Sequence, residues 1–431
     1  MEYLEAINYI NDKNKFGSKL GLDTIGKLLE LLGNPHLDMK YIHIAGTNGK
    51  GSTSAYISNT LKEAGYKVGL FTSPFLERFN ERISINGEDI PDNKLGEITG
   101  RVKGKIEIML NEGYEHPTTF EIVTAIAFIY FKEENVDYTI LEVGLGGRSD
   151  STNIIKDSLV SVITTIDYDH VDILGDTLGK IAYEKAGIIK ENGLVISYPQ
   201  EEEAFSVLEK VSQEKNADLI KCPMDNIKIK ELNEFGGIFD FKYNDQVLQN
   251  IKIQQLGEYQ IYNATLALFT LLNLRDRGII KISDDEIRRG FEKTKWKGRL
   301  EILKRNPTFL IDGAHNLQGI KTLANSFKLF NYNKLILGLG ILGDKDVAHM
   351  VEVISPLADE IIITEANMPR KLEAESLEKM VNKYNSNTII EKDIEKAIER
   401  AFSRANEGDL VVFAGSLYLI GDVRKIVIKK F

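Results

Sequence analysis

The sequence predicts an α/β fold with two domains. Short apolar runs alternate with helical patterns between residues 40 and 166, and the same alternation restarts near residue 297. Apolar strands separated by helices are typical of a parallel sheet that is covered on both faces. A chain of 431 residues also has the length of two or three ordinary domains. We therefore expect a large first domain built on a parallel sheet and a smaller, Rossmann-like second domain.

The first domain begins with four predicted strands and three predicted helices. The strands are almost entirely apolar, as expected for strands buried on both faces, and the helices are longer runs with helical spacing. The strands span residues 40–45, 67–71, 137–143 and 159–166, and the helices span residues 52–64, 93–112 and 120–133.

A different pattern occupies residues 225–256. Apolar and polar residues alternate there with a period of two, and turn signals stand at Gly236-Gly237 and at residues 243–245. This pattern predicts antiparallel strands appended to the first domain. A helix over residues 262–277 and a domain boundary near residue 297 follow, which gives domains 1–297 and 298–431. The predicted strands of the second domain are 308–311, 334–339, 360–364, 387–390 and 409–413.

The composition excludes several classes of protein. With 54 basic and 64 acidic residues the net charge is −10, whereas nucleic-acid-binding proteins usually carry a basic excess. Apolar stretches such as residues 122–131 are far shorter than a membrane span, and the acidic N-terminus does not resemble a signal peptide. The single cysteine, Cys222, excludes an intramolecular disulfide and a cysteine metal cluster, so we expect a cytoplasmic protein.

A glycine-rich segment, Gly46-Thr-Asn-Gly-Lys-Gly-Ser52, follows the first predicted strand and leads into a helix. Glycines let the backbone wrap closely around an anion, and a helix N-terminus presents free N–H groups and positive dipole. Lys50 can reach terminal phosphate oxygens, and a hydroxyl can help to hold Mg²⁺. The spacing departs from the general G-x-x-x-x-G-K-[ST] form, but an ordinary strand–helix turn does not need three glycines around a lysine. The segment predicts a nucleotide phosphate loop.

With its extra glycine, GTNGKGS resembles the phosphate loop of the Mur-type ATP-dependent amide ligases, and in particular that of folylpolyglutamate and dihydrofolate synthases. Further motifs of that family occur in the family's order, up to about residue 424, and together they are far more specific than any single one. They are Thr72-Ser-Pro-Phe-Leu, Glu81-Arg-Ile, Pro117-Thr-Thr-Phe-Glu, Glu142-Val-Gly-Leu-Gly-Gly-Arg, Asp169-His170, Glu184-Lys-Ala-Gly-Ile-Ile, Asn263-Ala, Gly298-Arg-Leu-Glu, Asp312-Gly-Ala-His-Asn and Gly415-Ser-Leu-Tyr-Leu-Ile-Gly.

The resemblance implies a fold and a reaction. Residues 1–297 would form a P-loop parallel-sheet ATPase domain of the Mur-ligase type, and residues 298–431 a C-terminal glutamate-ligase domain. The implied activity is ATP-dependent ligation of L-glutamate to a folate such as tetrahydrofolate. The substrate carboxylate attacks the γ-phosphorus to give an acyl phosphate and ADP, and the glutamate α-amine then displaces phosphate. Whether dihydropteroate is also a substrate stays open.

Three residues match the family's Mg²⁺ ligands, namely Ser73, Glu142 and His170. Glu142 ends a predicted strand, and ligands collect outside the carboxyl ends of the strands of an open parallel sheet. A carboxylate at the end of an apolar strand is costly to bury without a partner, and a metal ion would be a suitable partner. Alternatively, Glu142 could be a simple capping acid. His170 could be a hydrogen-bonded structural residue. Because Mg²⁺ prefers oxygen ligands, Glu142 is the strongest of the three candidates.

Lys185 matches a lysine that is carbamylated in the family. Carbamylation turns the positive amine into a carboxylate-like ligand, which would hold a second Mg²⁺ near the γ-phosphate. A lysine must lose its proton before it reacts with CO₂, and burial or a neighbouring cation lowers its pKa. Composition alone would instead make Lys185 a solvated surface cation.

The resemblance also assigns residues to ATP and to catalysis. Asn263, at the start of the predicted helix 262–277, and Arg299, between the domains, would contact the phosphates. Asp312, at a strand end, would face the nucleotide, although it could be only a turn acid. His315 would face the phosphates or the incoming amine, and it joins Lys50 and Lys185 as a catalytic candidate. The phosphate-loop contacts to ATP would come from Gly46, Thr47, Asn48, Gly49, Lys50, Gly51 and Ser52.

The folate substrate is expected against loop 73–83 and the helix that begins at Pro117. Its pterin would meet the aromatic rings of that region, and a glutamyl carboxylate would meet the Arg82 guanidinium. Ser416 is a weaker candidate for the amino-acid site, because Gly-Ser turns are usually structural. The aromatic candidates are Phe75, Phe79 and Phe120, of which Phe120 could equally belong to the core.

Two other functions compete with the ligase interpretation. A cell-wall Mur ligase would need an N-terminal domain for its uridine nucleotide, and only 45 residues precede Gly46. A non-catalytic nucleotide-dependent regulator would keep the fold without turnover, against which the intact candidate residues argue. We also expect small-molecule substrates only, a monomer because no coiled-coil pattern occurs, and a hinge near residues 297–298 that closes the active site.

Overall fold

The computed structural model describes residues 1–13 and 21–431, and within them the chain forms fifteen α-helices and seventeen strands. Contacts divide the chain into two compact units, described separately below. The first unit consists of Met1–Ile227, Phe241–Leu248 and Tyr262–Thr294, and the second of Lys228–Asp240, Gln249–Ile261 and Lys295–Phe431. The main body of the second unit thus begins close to the boundary predicted near residue 297, and the single boundary itself stays a prediction.

An eight-stranded sheet forms the centre of the first unit, with the strand order β4-β3-β2-β5-β1-β6-β7-β8. Strands β1, β5 and β6 are buried along their whole length and pair in parallel. The strands are β1 (Tyr41–Ala45), β2 (Val68–Phe71), β3 (Ile83–Ile85), β4 (Glu88–Asp89), β5 (Tyr138–Glu142), β6 (Val160–Ile163), β7 (Leu194–Ser197) and β8 (Asp218–Lys221).

Helices connect these strands and carry the hydrophobic faces that cover the sheet. Helix α5 illustrates the local cause, because the Thr118 hydroxyl and the Glu121 carboxylate cap its N-terminus reciprocally before an apolar run. The helices up to residue 227 are α1 (Tyr3–Asn11), α2 (Asp23–Leu31), α3 (Lys50–Glu63), α4 (Asp92–Asn111), α5 (Thr119–Glu133), α6 (Val171–Leu174), α7 (Leu178–Ala186) and α8 (Glu202–Glu214).

The predicted antiparallel strands are confirmed, but residues 228–240 and 249–253 belong to the second unit, whereas the prediction appended the strands to the first domain. Strands β9 (Ile227–Asn233), β10 (Gly236–Tyr243) and β11 (Gln246–Ile253) form a sheet in sequence order, joined by two-residue turns. Helix α9 (Glu258–Asp276) follows and begins four residues earlier than predicted. Helix α10 (Asp284–Lys293) then packs against α3.

The second unit contains a six-stranded sheet of order β12-β13-β17-β14-β15-β16. Five of its strands are parallel and match the five predicted ones, as expected for a Rossmann-like domain. Its strands and helices are β12 (Glu301–Arg305), β13 (Thr308–Asp312), α11 (Leu317–Ser326), β14 (Leu335–Leu339), α12 (Val347–Ile354), β15 (Glu360–Ile363), α13 (Ala374–Val381), β16 (Thr388–Ile390), α14 (Ile394–Arg404), β17 (Leu410–Ala414) and α15 (Leu417–Lys430).

Neither sheet is purely parallel, which corrects the sequence prediction. In the first sheet β3 pairs antiparallel with both β2 and β4, and in the second β12 pairs antiparallel with β13. These additions are short hairpin strands at a sheet edge, where a segment of two to five residues is too brief to show a period. The described helices include none that is both long and apolar enough to cross a membrane.

A buried carboxylate follows β15 in the second unit. The Glu365 carboxylate is 7% exposed and is held by the ammonium groups of Lys371 and Lys392 and by the backbone N–H of Ala374. Burial alone would raise the pKa of Glu365, but these donors lower it from 4.5 to about 2.

We predict that Glu365→Gln lowers the free energy of unfolding of this unit by about 3 kcal/mol near neutral pH, since it breaks a buried ion pair. The group's pKa is depressed in the folded state, so its contribution is complete above pH 4.5 and is lost as the pH falls through about 2. Urea unfolding over a pH series measures this. Glu375→Gln removes an exposed carboxylate that pairs with Lys392, so it serves as the control. It should lower the free energy of unfolding by at most about 1 kcal/mol.

Candidate active site

The phosphate loop lies at the centre of the first sheet. Strand β1 runs between β5 and β6, and the register pairs Ile44 with Glu142 and Ala45 with Ile163. The carboxyl ends of these three parallel strands therefore meet at one edge. Segments 46–49, 143–150 and 164–170, which follow the three strands, gather there, as ligand sites of such sheets do.

Two glycines of the loop stand where no side chain fits. Gly46 has φ +150° and a Cβ there would overlap the Thr164 hydroxyl, while Gly49 has φ +87° and a Cβ there would overlap the Asn263 amide oxygen. Gly49 is the N-cap of α3, so the helix begins at Lys50 and not at Ser52 as predicted. The sequence prediction missed this because a left-handed glycine can precede a helix directly.

Segment 164–167 supports the loop from one side. The Thr47 N–H donates to the Thr165 carbonyl over 2.6 Å. The Thr47 hydroxyl donates to the Asp167 carbonyl and accepts from the Asp167 N–H, both at 3.0 Å. Gln200 holds this segment in turn, because its amide donates to the Thr164 carbonyl over 2.7 Å and accepts from the Ile166 N–H over 2.9 Å. Sequence reasoning missed Gln200, which carries no motif signal.

Two basic side chains converge on one carbonyl oxygen of the loop. The Lys50 ammonium donates to the carbonyls of Gly46 and Thr47, both over 3.1 Å, and Lys185 donates to the Gly46 carbonyl over 2.9 Å. Lys185 is only 4% exposed, which excludes the solvated-cation alternative. Burial and then the charge of Lys50 lower the pKa of Lys185 to about 7, against the opposite effect of Asp169. Such a concentration of basic groups suits an anion.

The candidate metal ligands occupy the same edge of the sheet. Glu142 ends β5, is 5% exposed, and its carboxylate accepts from the Ser73 N–H over 3.3 Å, so two candidates lie together. His170 is the residue before α6, its N-cap, with φ +50°, and its Nε2 lies 3.8 Å from the Asp169 carboxylate. The Glu142 carboxylate supplies the oxygen that Mg²⁺ prefers, whereas the half-exposed imidazole of His170 fits this cation less well.

A buried polar chain fixes the segment after Glu142. The Asp150 carboxylate accepts from the N–H groups of Gly144 and Leu145 at 3.0 and 2.9 Å and from Thr152, whose hydroxyl lies 2.8 Å from Nε2 of His43 in β1. Burial raises the pKa of Asp150, and these donors oppose that shift. Sequence reasoning assigned Asp150 no role, because an aspartate after glycines reads as a turn residue.

Loop 72–82 carries the predicted substrate residues. The Arg82 guanidinium lies 5.2 Å from the ring centre of Phe75 and 5.5 Å from that of Phe79. Phe79 is 6% exposed and belongs to the hydrophobic core, so its predicted contact with a pterin is wrong. Phe120 is half-buried, and its ring lies so close to Gly144 that a Cβ there would be 2.6 Å away. Phe120 is thus partly a packing residue, as the alternative allowed.

Asn263 approaches the phosphate loop from α9. Its side chain lies against Gly49 of the loop, and its contact with the ATP phosphates stays a prediction. It is the sixth residue of α9 and not the first, which corrects the prediction that it opens the helix. The helix includes Glu258-Tyr-Gln-Ile, a segment to which the sequence analysis assigns no structure.

The second unit holds the remaining candidates, of which Asp312 and His315 lie at the end of β13 and Ser416 follows β17. Asp312 accepts from the N–H groups of Leu300 and Ala314 at 2.7 and 2.8 Å, and burial raises its pKa while Arg299 opposes the shift. His315 Nδ1 lies 2.8 Å from the Gly313 carbonyl. Ser416 is 1% exposed and its hydroxyl accepts from the Tyr418 N–H as the N-cap of α15, which is the structural role.

Two known protein-family models match the chain. Residues 44–271 match the Mur ligase middle domain, and residues 298–417 match the Mur ligase glutamate ligase domain. The chain is 38% identical to the dihydrofolate synthase/folylpolyglutamate synthase of Bacillus subtilis over 98% of both chains.

Two solved structures are similar over nearly the whole chain. One is the folylpolyglutamate synthase of Thermotoga maritima, with a TM-score of 0.86 and 36% identity over 99% of this chain and 96% of that one. The other is Escherichia coli FolC in complex with DHPP and ADP, with a TM-score of 0.88 and 28% identity over 100% of this chain and 98% of that one.

The chain therefore belongs to the Mur ligase family. Within that family of ATP-dependent ligases it is an enzyme of the folylpolyglutamate synthase/dihydrofolate synthase group, as the resemblance of its motifs predicted.

We predict that Gly46→Ala destabilises the first unit by about 1–3 kcal/mol more than Gly65→Ala, because the new methyl group must displace Thr164. Gly65 also has a positive φ, +90°, but no atom within 4 Å of a Cβ, so it reports backbone strain without a clash. Denaturant unfolding of both variants measures the difference. Equal destabilisation would contradict the close approach of Thr164.

Proposed function

We propose that this enzyme ligates L-glutamate to a folate substrate with ATP, through an acyl phosphate, and releases ADP and phosphate. One observation carries the proposal: Lys50 and Lys185 converge on the Gly46 carbonyl at the sheet edge where Glu142 is buried beside Ser73. This arrangement supports a bound triphosphate with its metal. The group to which the chain belongs, and the DHPP and ADP held by the similar Escherichia coli protein, support the folate and the nucleotide.

Each residue of the first unit then has a physical task. The loop 46–52 would hold the phosphates against the N-terminus of α3, and Asn263 would reach them beside Gly49. Lys50 would exchange its bonds to the loop carbonyls for the terminal phosphate oxygens. Phosphoryl transfer depends on such alignment and charge neutralisation more than on covalent help from the protein.

Glu142 and Ser73 are the residues that would hold Mg²⁺, with His170 as a weaker third ligand. When bound, Mg²⁺ supplies positive charge that neutralises the phosphate oxygens. The buried Glu142 carboxylate keeps its place through the Ser73 N–H and through the Asp150 chain that fixes the following residues. Arg299, Asp312 and His315 would contribute from the second unit, and we propose that closure near residues 297–298 brings them in.

The folate would lie against loop 72–82. Phe75 and Phe120 offer half-buried aromatic rings, and Arg82 offers a cation for a glutamyl carboxylate. Ser416 is not supported as a glutamate contact, because its buried hydroxyl is used in the helix cap. We propose that the enzyme acts in the cytoplasm, which the single, buried cysteine supports, and that it acts as a monomer, as the lack of a coiled-coil pattern predicts.

The decisive assay is phosphate release from ATP with tetrahydrofolate and L-glutamate, and with dihydropteroate in place of tetrahydrofolate. The proposal requires release that depends on both co-substrates. A non-catalytic regulator would release none, and a cell-wall ligase would require a uridine nucleotide substrate. The dihydropteroate reaction reports whether the enzyme also makes dihydrofolate.

We predict that Lys50→Ala and Glu142→Ala each reduce turnover by about 10²–10³-fold, since each removes a well-placed charge from the phosphates or their metal. Thermal unfolding should show that both variants fold. Lys62→Ala, in the last turn of the same helix, and Glu88→Ala, on the exposed strand β4, are the matched controls and should keep wild-type rates. Wild-type turnover by both site variants would defeat the assignment.

We predict that Lys185 carries a carbamate in the active enzyme. The amine is buried, and its pKa of about 7 leaves a large neutral fraction that can react with CO₂. Carbon-13 NMR with labelled bicarbonate should give a carbamate signal that Lys185→Met abolishes and Lys190→Met keeps. Lys190 is the control because it is also a largely buried lysine. A signal that persists in Lys185→Met would place the carbamate elsewhere.

A further inference from the structure

The loop that carries Ser73, Phe75 and Arg82 is closed at its base. The Thr72 N–H donates to the Arg82 carbonyl over 3.0 Å, and directly outside it Phe71 of β2 pairs with Ile83 of β3. Closure fixes where the loop begins and ends, but it leaves the intervening backbone to find its own hydrogen-bond partners.

One side chain supplies those partners. The Glu81 carboxylate accepts from the N–H of Leu76 over 2.7 Å, from that of Glu77 over 3.2 Å and from that of Arg78 over 3.2 Å. Three consecutive backbone N–H groups around one anion form a nest, in which each bond is strengthened by the negative charge. The Glu81 carboxylate thus holds together the backbone of the loop to which it belongs.

The nest determines what the loop presents. Fixing residues 76–78 sets the position of Phe75 just before them, and Arg82 follows Glu81 directly. The guanidinium and the Phe75 ring are thereby kept 5.2 Å apart. The outer side is anchored separately, because the Asn80 side chain accepts from the Tyr3 hydroxyl and donates to the Ile90 carbonyl.

We propose that Glu81 is a positioning residue for the folate substrate. Its carboxylate keeps the stacked pair of Phe75 and Arg82 ready to receive the substrate, and it occupies the three N–H groups that would otherwise attract a substrate carboxylate. The anionic end of the folate is therefore directed to Arg82. This inference rests on the proposed function for the identity of the substrate. The hydrogen bonds by which Glu81 fixes the loop do not depend on that function.

The test variant is Glu81→Gln, which keeps the shape of the side chain. Glutamine has one acceptor oxygen and turns an N–H donor toward the nest, so the loop loses charge-assisted bonds. We expect the KM for tetrahydrofolate to rise about tenfold, with an unchanged KM for ATP and an unchanged kcat. Glu88→Gln, the same change on the exposed strand β4, is the control and should leave all three constants unchanged.

Hydrogen exchange provides a readout that is independent of activity. In Glu81→Gln the amides of residues 76–78 should exchange about tenfold faster than in the wild type, while those of β1 and β5 stay protected. An unchanged tetrahydrofolate KM, an equal rise in the KM for ATP, or unchanged exchange at residues 76–78 would each overturn the inference. Absence of ligation by the wild type would instead defeat the proposed function, and the exchange measurement would still decide whether Glu81 holds the loop.

Discussion

The meeting of two lysine side chains on the Gly46 carbonyl oxygen is the interaction on which the rest of the site depends. Lys50 comes from the first turn of α3 and Lys185 from the last turn of α7, so both helices must be in place for the two amines to meet on this oxygen. The burial of Lys185 makes its charge costly, which its pKa of about 7 expresses. Loss of the proton removes that cost, and the neutral amine is the form of Lys185 that can react with CO₂.

The sheet order brings the other parts to this point. Because β1 lies between β5 and β6, the loops after all three strands share one edge, and Glu142, Asp169 and the loop glycines become neighbours. Residues outside the motifs then fix the loops. Asp150 holds the backbone after Glu142, and Gln200 holds the segment that supports Thr47. The reacting groups are few, but the hydrogen bonds that keep them in place come from many elements.

Much of this could be predicted from the sequence. The sequence predicts β1, β2, β5 and β6 and the helices α3, α4 and α5 within a few residues, because a buried strand is a continuous apolar run and a helix has its own spacing. It does not predict β7, β8 or most of the helices after residue 170. Short edge strands such as β4 and β12 were missed, since so few residues show no period. Phe79 was misjudged for a related reason: an aromatic residue in a loop motif suits a ligand or a core equally, and only its burial at 6% exposure decides.

The sequence by itself determined the class of the protein, the phosphate loop and the order of the motifs, because local spacing and residue type encode them. Only the tertiary structure decided which groups touch. It brought Lys185 to Gly46, Ser73 to Glu142 and Asn263 to Gly49, and it gave Glu81 its three backbone partners. Contacts between residues far apart in the chain, and the burial that shifts a pKa, follow from how strands are ordered and loops are closed. No local pattern records either of them.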